Sequence, residues 1–185
     1  GFAVIEAHWL FGVEAGKIEV VVHPQSVIHS LVEFEDGALK AQLGTPDMRL
    51  PIQYALTFPE RWPLDCGKFD FATGGDFTFR APDTAKFPAL ELAYEALRRG
   101  GNCGCVLNAA NEVAVQAFLS GRIRFTDITH TIEHTMQAAT HIAKPTLDDY
   151  RQSNSEAREL AERFTCNCNN DTRNSGNGPD KRNQN

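Results

Sequence analysis

The segment HPQSVIHSLVEF, from His23 to Phe34, places two imidazoles, an amide and a hydroxyl at the head of a run otherwise suited to burial. Polar side chains cost free energy when buried without partners, so these either hydrogen-bond within the fold or line a site. Imidazole donates and accepts hydrogen bonds and exchanges protons near neutral pH. His29, inside the run, is therefore the candidate for chemistry, with Ser26 beside it. His23 and Gln25 are expected to organise the preceding turn. A second cluster, His130 and His134, has helical i, i+4 spacing with His141 beyond. Such pairs can hold a transition metal, but no carboxylate or thiol is placed to complete the set, and solvated helix faces are the preferred reading. Five cysteines, Cys66, Cys103, Cys105, Cys166 and Cys168, make an odd count with two Cys-x-Cys pairs. Structural zinc usually needs wider gaps. Small buried thiols in a reducing compartment fit better than a disulfide framework.

The elements that must position these residues fall into two kinds. GFAVIEAHWLFG spaces Phe2, Ile5, Trp9 and Leu10 helically and stops at Gly12. KIEVVVHP, SVIHSLVEFE and ALKAQLG are strand candidates, the last two joined by a turn containing Asp36-Gly37. Both faces of the middle strand are apolar, which predicts cover on both sides, from helices of the chain or a partner subunit. The prolines of TPDMRLPIQYALTFPERWP leave room for a short helix around Ile52 to Phe58. Residues 64–83 carry turn residues and alternating phenylalanines, the pattern of an extended connector. Four helices are then predicted. The first spans Phe87 to Arg99 and stops at Gly100-Gly101; the second is capped by Asn108 and runs through Leu119. The third is capped by Thr126, carries a stripe of Ile128, Ile132, Met136 and Ala139, and stops at Lys144-Pro145; the fourth opens with a Ser153/Glu156 capping box and runs through Phe164. From Cys166 onward no large apolar residue occurs, and disorder is expected.

This reads as an α+β chain. Residues 1–63 form part of a mixed α/β catalytic domain, 64–86 a connector, 87–165 a C-terminal four-helix bundle, and 166–185 a disordered tail. The 185 residues carry a net charge of −6, and no basic stripe suggests nucleic acid. No apolar stretch approaches the roughly 20 residues of a membrane span, so a soluble, intracellular protein is expected. Gly1 opens directly into a helical pattern without a cap, which predicts that the chain is a fragment beginning inside a longer protein.

Four segments in order, HPQSVIHS, QLGTPDMRLPI, FPALELAYEAL and LNAANEVAVQAFLSGRIRFTDI, closely resemble the C-terminal half of 1-deoxy-D-xylulose 5-phosphate reductoisomerases, from Gly1 to about Phe164. The resemblance implies an enzyme of the non-mevalonate isoprenoid pathway. It would rearrange and reduce a sugar phosphate to 2-C-methyl-D-erythritol 4-phosphate, using NADPH and a divalent cation, Mg²⁺ or Mn²⁺. It also implies a homodimer, in the bacterial cytoplasm or plastid stroma. His29 matches a histidine tied to activity, and Ser26, Pro46 and Met48 match residues near the nicotinamide and substrate. The opening GFAVIEA matches a family segment whose glutamate binds the metal; here that position is Ala3, whose methyl group cannot coordinate a cation. Asn108, Asn111 and Glu112 are implied to help close the bundle over the active site. A non-catalytic dimerisation or binding module of the same descent, and a His/Cys metal-binding protein, are the competing readings.

Overall fold

Helix α1 (Phe2–Phe11), strands β1 (Ile28–Glu33) and β2 (Leu39–Leu43), and helices α2 (Arg49–Thr57), α3 (Ala89–Arg99), α4 (Cys103–Leu119), α5 (Phe125–Ala138) and α6 (Leu147–Asn174) follow in chain order. They come from a computed structural model that describes the backbone of residues 1–174 and the side chains of residues 1–166. The chain is a mixture of helices with one small sheet, and it divides into two units. One joins Gly1–Glu19 to the chain from Asp83 onward; the other is Val20–Pro82. This differs from the expected boundary after residue 63. Phe2 and Ile5 pack against the helical core, and the Tyr94 hydroxyl donates to the Ile18 carbonyl at 2.7 Å, so the first 19 residues belong with the helices. Residues 64–82 belong with the strands.

Helix α4 is the axis of the helical unit, packing against α3, α5 and α6. Cys103, Val106, Leu107, Ala109, Ala110, Val113, Ala114 and Ala117 are all buried, a broad apolar face that leaves the stripe of Asn108, Glu112 and Gln116 to solvent. Its alanines, with Ala157 and Ala161 of α6, have no exposed surface and allow close packing. The predicted stripe on α5 lies on this core, with Ile132 and Met136 buried and Ile128 and Ala139 packed against it. Two buried hydroxyls are satisfied inside α5: Thr131 and Thr135 donate to the carbonyls of Asp127 and Thr131, each at 2.7 Å.

Asn102 is the buried polar centre of this unit. Its side-chain nitrogen donates to the Thr140 carbonyl and the Ser153 hydroxyl, both at 2.8 Å, while its oxygen accepts from the Ile142 amide at 2.9 Å. The Asn102 amide completes the exchange by donating to the Ile142 carbonyl at 3.1 Å. The adjacent Gly101 is required by this approach. It adopts φ +59, and a Cβ there would meet the Ile142 oxygen at 2.2 Å.

Several expected caps are displaced. Asn108 lies inside α4, which begins five residues earlier at Cys103 with Asn102 as its cap. Thr126 lies inside α5; Asp127 instead accepts the Arg124 amide at 2.9 Å, and the helix ends at Ala138 rather than near Lys144. Ser153 is in the interior of α6, which opens at Leu147. Thr146 and Asp149 cap it: the Asp149 carboxylate accepts the Thr146 amide, and Thr146 Oγ1 accepts the Asp149 amide. Capping chemistry occurs at several points in this sequence, and packing of the apolar face selects among them. The α6 backbone continues through Asn174, past the expected start of a disordered tail at Cys166, because no proline or glycine interrupts it before Gly176. The rest of that expectation, residues 175–185, lies outside the described residues.

In the other unit, β1 and β2 form an antiparallel hairpin turning through Asp36 and Gly37. The expected strand in KIEVVVHP is reduced to a single bridge between Val22 and Arg80, since no neighbouring strand continues a ladder there. The two-sided cover predicted for β1 is absent among the described residues. Leu31, Val32 and Phe34 are 43%, 56% and 51% exposed.

Replacing Asn102 with alanine should destabilise the helical unit by about 2–4 kcal/mol, because three polar partners of its side chain lose their bonds; denaturant unfolding followed by circular dichroism measures it. The Arg124 guanidinium beside Asp127 holds that buried carboxyl below its usual value. The folded-state value is the depressed one, so its contribution is complete above the ordinary carboxylate value near ~3.9 and is lost as pH falls through the lowered one. Asp127→Asn should remove this part of the acid destabilisation in melts recorded below about pH 4.

Candidate functional site

The Val20–Pro82 unit contains an open cleft of about 900 Å³. Ser26, His29, Pro46 and Met48, drawn from two separate motifs, all line it. Each reaches the cleft for a local reason. The β1–β2 register runs Ile28 to Leu43 and then Ser30 to Gln42, so His29 is the extra residue of a bulge. A bulge re-aims one side chain out of strict alternation, and here it presents His29 to the cleft. The imidazole lies beside Gly44, where an added Cβ would sit 4.0 Å from Nε2.

Ser26 adopts φ +50, a left-handed conformation uncommon for a residue with a side chain. The turn that holds it is clamped to Thr78. The Gln25 amide nitrogen donates to Thr78 Oγ1 at 2.9 Å, and the Thr78 amide donates back to the Gln25 oxygen at 3.3 Å. His23 Nδ1–H donates to the Thr78 carbonyl at 3.0 Å, while its ring stacks on Phe79 with centroids 4.8 Å apart and meets the edge of Phe77. His23 Nε2 is buried and has no hydrogen-bond partner among the described residues, which suits the neutral Nδ1–H tautomer. His23 and Gln25 thus organise the turn, as their place before the strand suggests.

Pro46 and Met48 sit on the turn entering α2. Asp47 between them accepts the Arg49 amide at 2.9 Å and two bonds from the Arg49 side chain at 3.0 and 2.6 Å. The guanidinium holds the Asp47 carboxyl below its usual range. Pro51 falls in the first turn of α2, where its missing N–H costs nothing. Met48 is 70% exposed, which leaves its thioether free to cover a bound group. On the far wall Tyr54 packs edge-on against Phe58, and the Arg61 guanidinium lies 3.9 Å from the Tyr54 ring centroid. Tyr54, Arg61 and Thr78 escaped the sequence reading. The alternation of phenylalanines around Thr78 was its one visible signal.

The other candidate clusters are arranged differently. His130 and His134 are exposed on α5, and His134 stacks on Phe164 with centroids 4.4 Å apart. Burial pushes the Cys103 and Cys105 thiols up from their ordinary value, which suppresses the reactive thiolate. Asn108 donates to Glu112, which pairs with Arg158 of α6, so these residues join two helices of their own unit. Among the described residues no three His, Cys, Asp or Glu side chains converge to hold a metal. Ala3 is exposed on α1 and has no donor atom, so among the described residues neither this position nor any cluster offers a ligand set for a divalent cation.

A concave, largely apolar cleft with an imidazole, a hydroxyl and a guanidinium converging on it is of the class that binds small molecules. The model of the DXP reductoisomerase C-terminal domain matches residues 43–160, and the chain belongs to that family. The 1-deoxy-D-xylulose 5-phosphate reductoisomerase of Bacteroides fragilis strain YCH46 is 56% identical over 166 residues, which are 90% of this chain and 43% of the relative. That of Chlorobium limicola is 56% identical over 161 residues, 87% of this chain and 42% of the relative. Among solved structures, the Zymomonas mobilis enzyme in complex with NADPH superposes with a TM-score of 0.81 at 44% identity, covering 88% of this chain and 43% of that one. A complex of the reductoisomerase with NADPH, fosmidomycin and magnesium gives a TM-score of 0.82 at 39% identity, over 88% of this chain and 42% of that one. The chain therefore spans less than half the length of the relatives it matches.

Thr78→Val keeps the backbone groups but removes the hydroxyl that Gln25 grips. Amide exchange at Ser26 and Val27 should accelerate by roughly tenfold, with about 1 kcal/mol lost from this unit; hydrogen-exchange mass spectrometry reads both, and Thr78→Ser should restore them.

Proposed function

We propose that this chain is the C-terminal part of an enzyme that converts 1-deoxy-D-xylulose 5-phosphate to 2-C-methyl-D-erythritol 4-phosphate with NADPH and Mg²⁺ or Mn²⁺. The observation that carries the reading is the meeting of Ser26, His29, Pro46 and Met48 around one cleft. When bound, NADPH supplies the hydride. Pro46 and Met48 offer apolar surface to a flat heteroaromatic ring, and Ser26 offers a hydroxyl to its polar edge. His29 is the catalytic residue of the proposal: an exposed imidazole on a fixed bulge that donates a hydrogen bond or a proton to a substrate oxygen. The cation would take its ligands from outside these residues, since Ala3 offers none.

In this proposal Val20–Pro82 contributes to a mixed α/β catalytic domain, and α3 to α6 form a C-terminal four-helix bundle. The protein acts as a homodimer, and the exposed apolar side chains of β1 support further cover in the assembly. Bacterial relatives support a cytoplasmic place, with the plastid stroma as the alternative; no described helix is long and apolar enough to cross a membrane.

Residues 1–185 alone should not oxidise NADPH with the sugar phosphate, because positioning of the cofactor needs more protein than this chain holds. In the longer protein carrying them, His29→Gln should lower turnover by about 10²-fold while the melting temperature holds. Equal loss of stability with unchanged turnover per folded molecule would reduce His29 to a structural residue. Ala3→Glu in the same protein should lower the Mn²⁺ concentration needed, both for turnover and for metal binding followed by calorimetry.

A further inference from the structure

Met48 reaches the cleft on an apolar side chain that is 70% exposed, so the backbone that carries it sets its place. It stands at the N-cap of α2 and gives the helix no side-chain hydrogen bond. Its two neighbours are instead tied to each other across it. The Asp47 carboxylate accepts the Arg49 amide at 2.9 Å through one oxygen, and Arg49 Nε and Nη2 at 3.0 and 2.6 Å through the other. The Asp47 main chain is engaged as well. Its amide donates to the Thr45 carbonyl at 2.8 Å, and its carbonyl accepts from the Leu50 amide at 3.2 Å. Thr45 is anchored in turn, its hydroxyl donating to the Gly67 carbonyl at 2.9 Å. Met48 is the residue these bonds enclose. An exposed ion pair adds little stability; what this one supplies is order. A methionine side chain is unbranched and flexible, and a backbone that moved with it would add to the freedom lost when a ligand is covered.

We infer that Asp47 is a positioning residue: its carboxylate, closed on Arg49, fixes the backbone of Met48 so that the thioether meets the nicotinamide ring of the bound cofactor. The inference rests on the cleft being the ring site of that cofactor, as proposed above.

The first arm of the test reads order in the chain itself. Met48 and the buried Met136 are its two methionines, so nitrogen-isotope labelling of methionine gives two backbone amide signals for NMR relaxation. Asp47→Ala should lower the order parameter of Met48 from about 0.85 to below about 0.6 and leave Met136 unchanged, which reports that the variant remains folded. Arg49→Gln should act likewise, and Asp47→Asn, which keeps an acceptor for the Arg49 amide, should fall between. The second arm measures binding by calorimetry in the longer protein, without metal or substrate. NADPH is compared with adenosine 2′,5′-bisphosphate, which carries the adenosine end of the cofactor and no nicotinamide. Asp47→Ala should weaken NADPH by about threefold to fivefold and leave the bisphosphate unchanged; Met48→Ala should weaken NADPH at least as much. An unchanged Met48 order parameter, an NADPH affinity that holds although the amide loosens, or equal losses for both ligands overturns the role of Asp47 and leaves the cleft as the ring site. NADPH affinity untouched by Met48→Ala overturns the ring site, and the role of Asp47 with it. Longer protein that binds no NADPH overturns the proposed function itself.

Discussion

Backbone groups that no ladder or helix satisfies must find other partners, and in this chain two side-chain clusters supply them. In the Val20–Pro82 unit the cluster is Thr78, whose amide, carbonyl and hydroxyl all bond to His23 or Gln25. That grip fixes the turn leading into β1, and the turn sets Ser26 at the edge of the cleft. In the helical unit the cluster is Asn102, which ties the start of α4 to the Thr140–Ile142 segment and to α6. Each cluster joins segments far apart in sequence, 53 residues for Gln25 to Thr78 and 51 for Asn102 to Ser153. Neither can form until the chain has folded around it.

The cleft illustrates how positioning and solvation divide the labour. Its polar groups are held by their surroundings, His29 by a bulge, Asp47 by Arg49 and Arg61 by Tyr54, so little ordering remains to be done when a ligand arrives. Yet the cleft is open, and Met48 and Phe58 are each 70% exposed. Apolar groups in such a position gain most from a ligand with a flat apolar surface, since contact removes both surfaces from water.

Apolar side chains on β1, β2 and the end of α1 are open to solvent: Val32 by 56%, Leu39 by 64% and Trp9 by 70%.

The sequence by itself determined the helices, the hairpin and the family. Apolar periodicity, an Asp-Gly turn and paired glycines are local signals, and they placed α3, the stripe on α5 and the β1–β2 turn. Motif order likewise singled out Ser26, His29, Pro46 and Met48, which the structure gathers around one cleft. The caps were legible only as possibilities, because Asn, Thr and Ser can all cap; α4 begins after the buried Asn102 and α6 after the exposed Thr146, rather than at Asn108 and Ser153. The grouping of α1 with the helices, the bulge at His29, the hold of Thr78 on Gln25 and the stacking of Arg61 on Tyr54 came only from tertiary structure. All but the stacking of Arg61 on Tyr54 depend on contacts between residues distant in the chain, whose energies have no counterpart in local pattern.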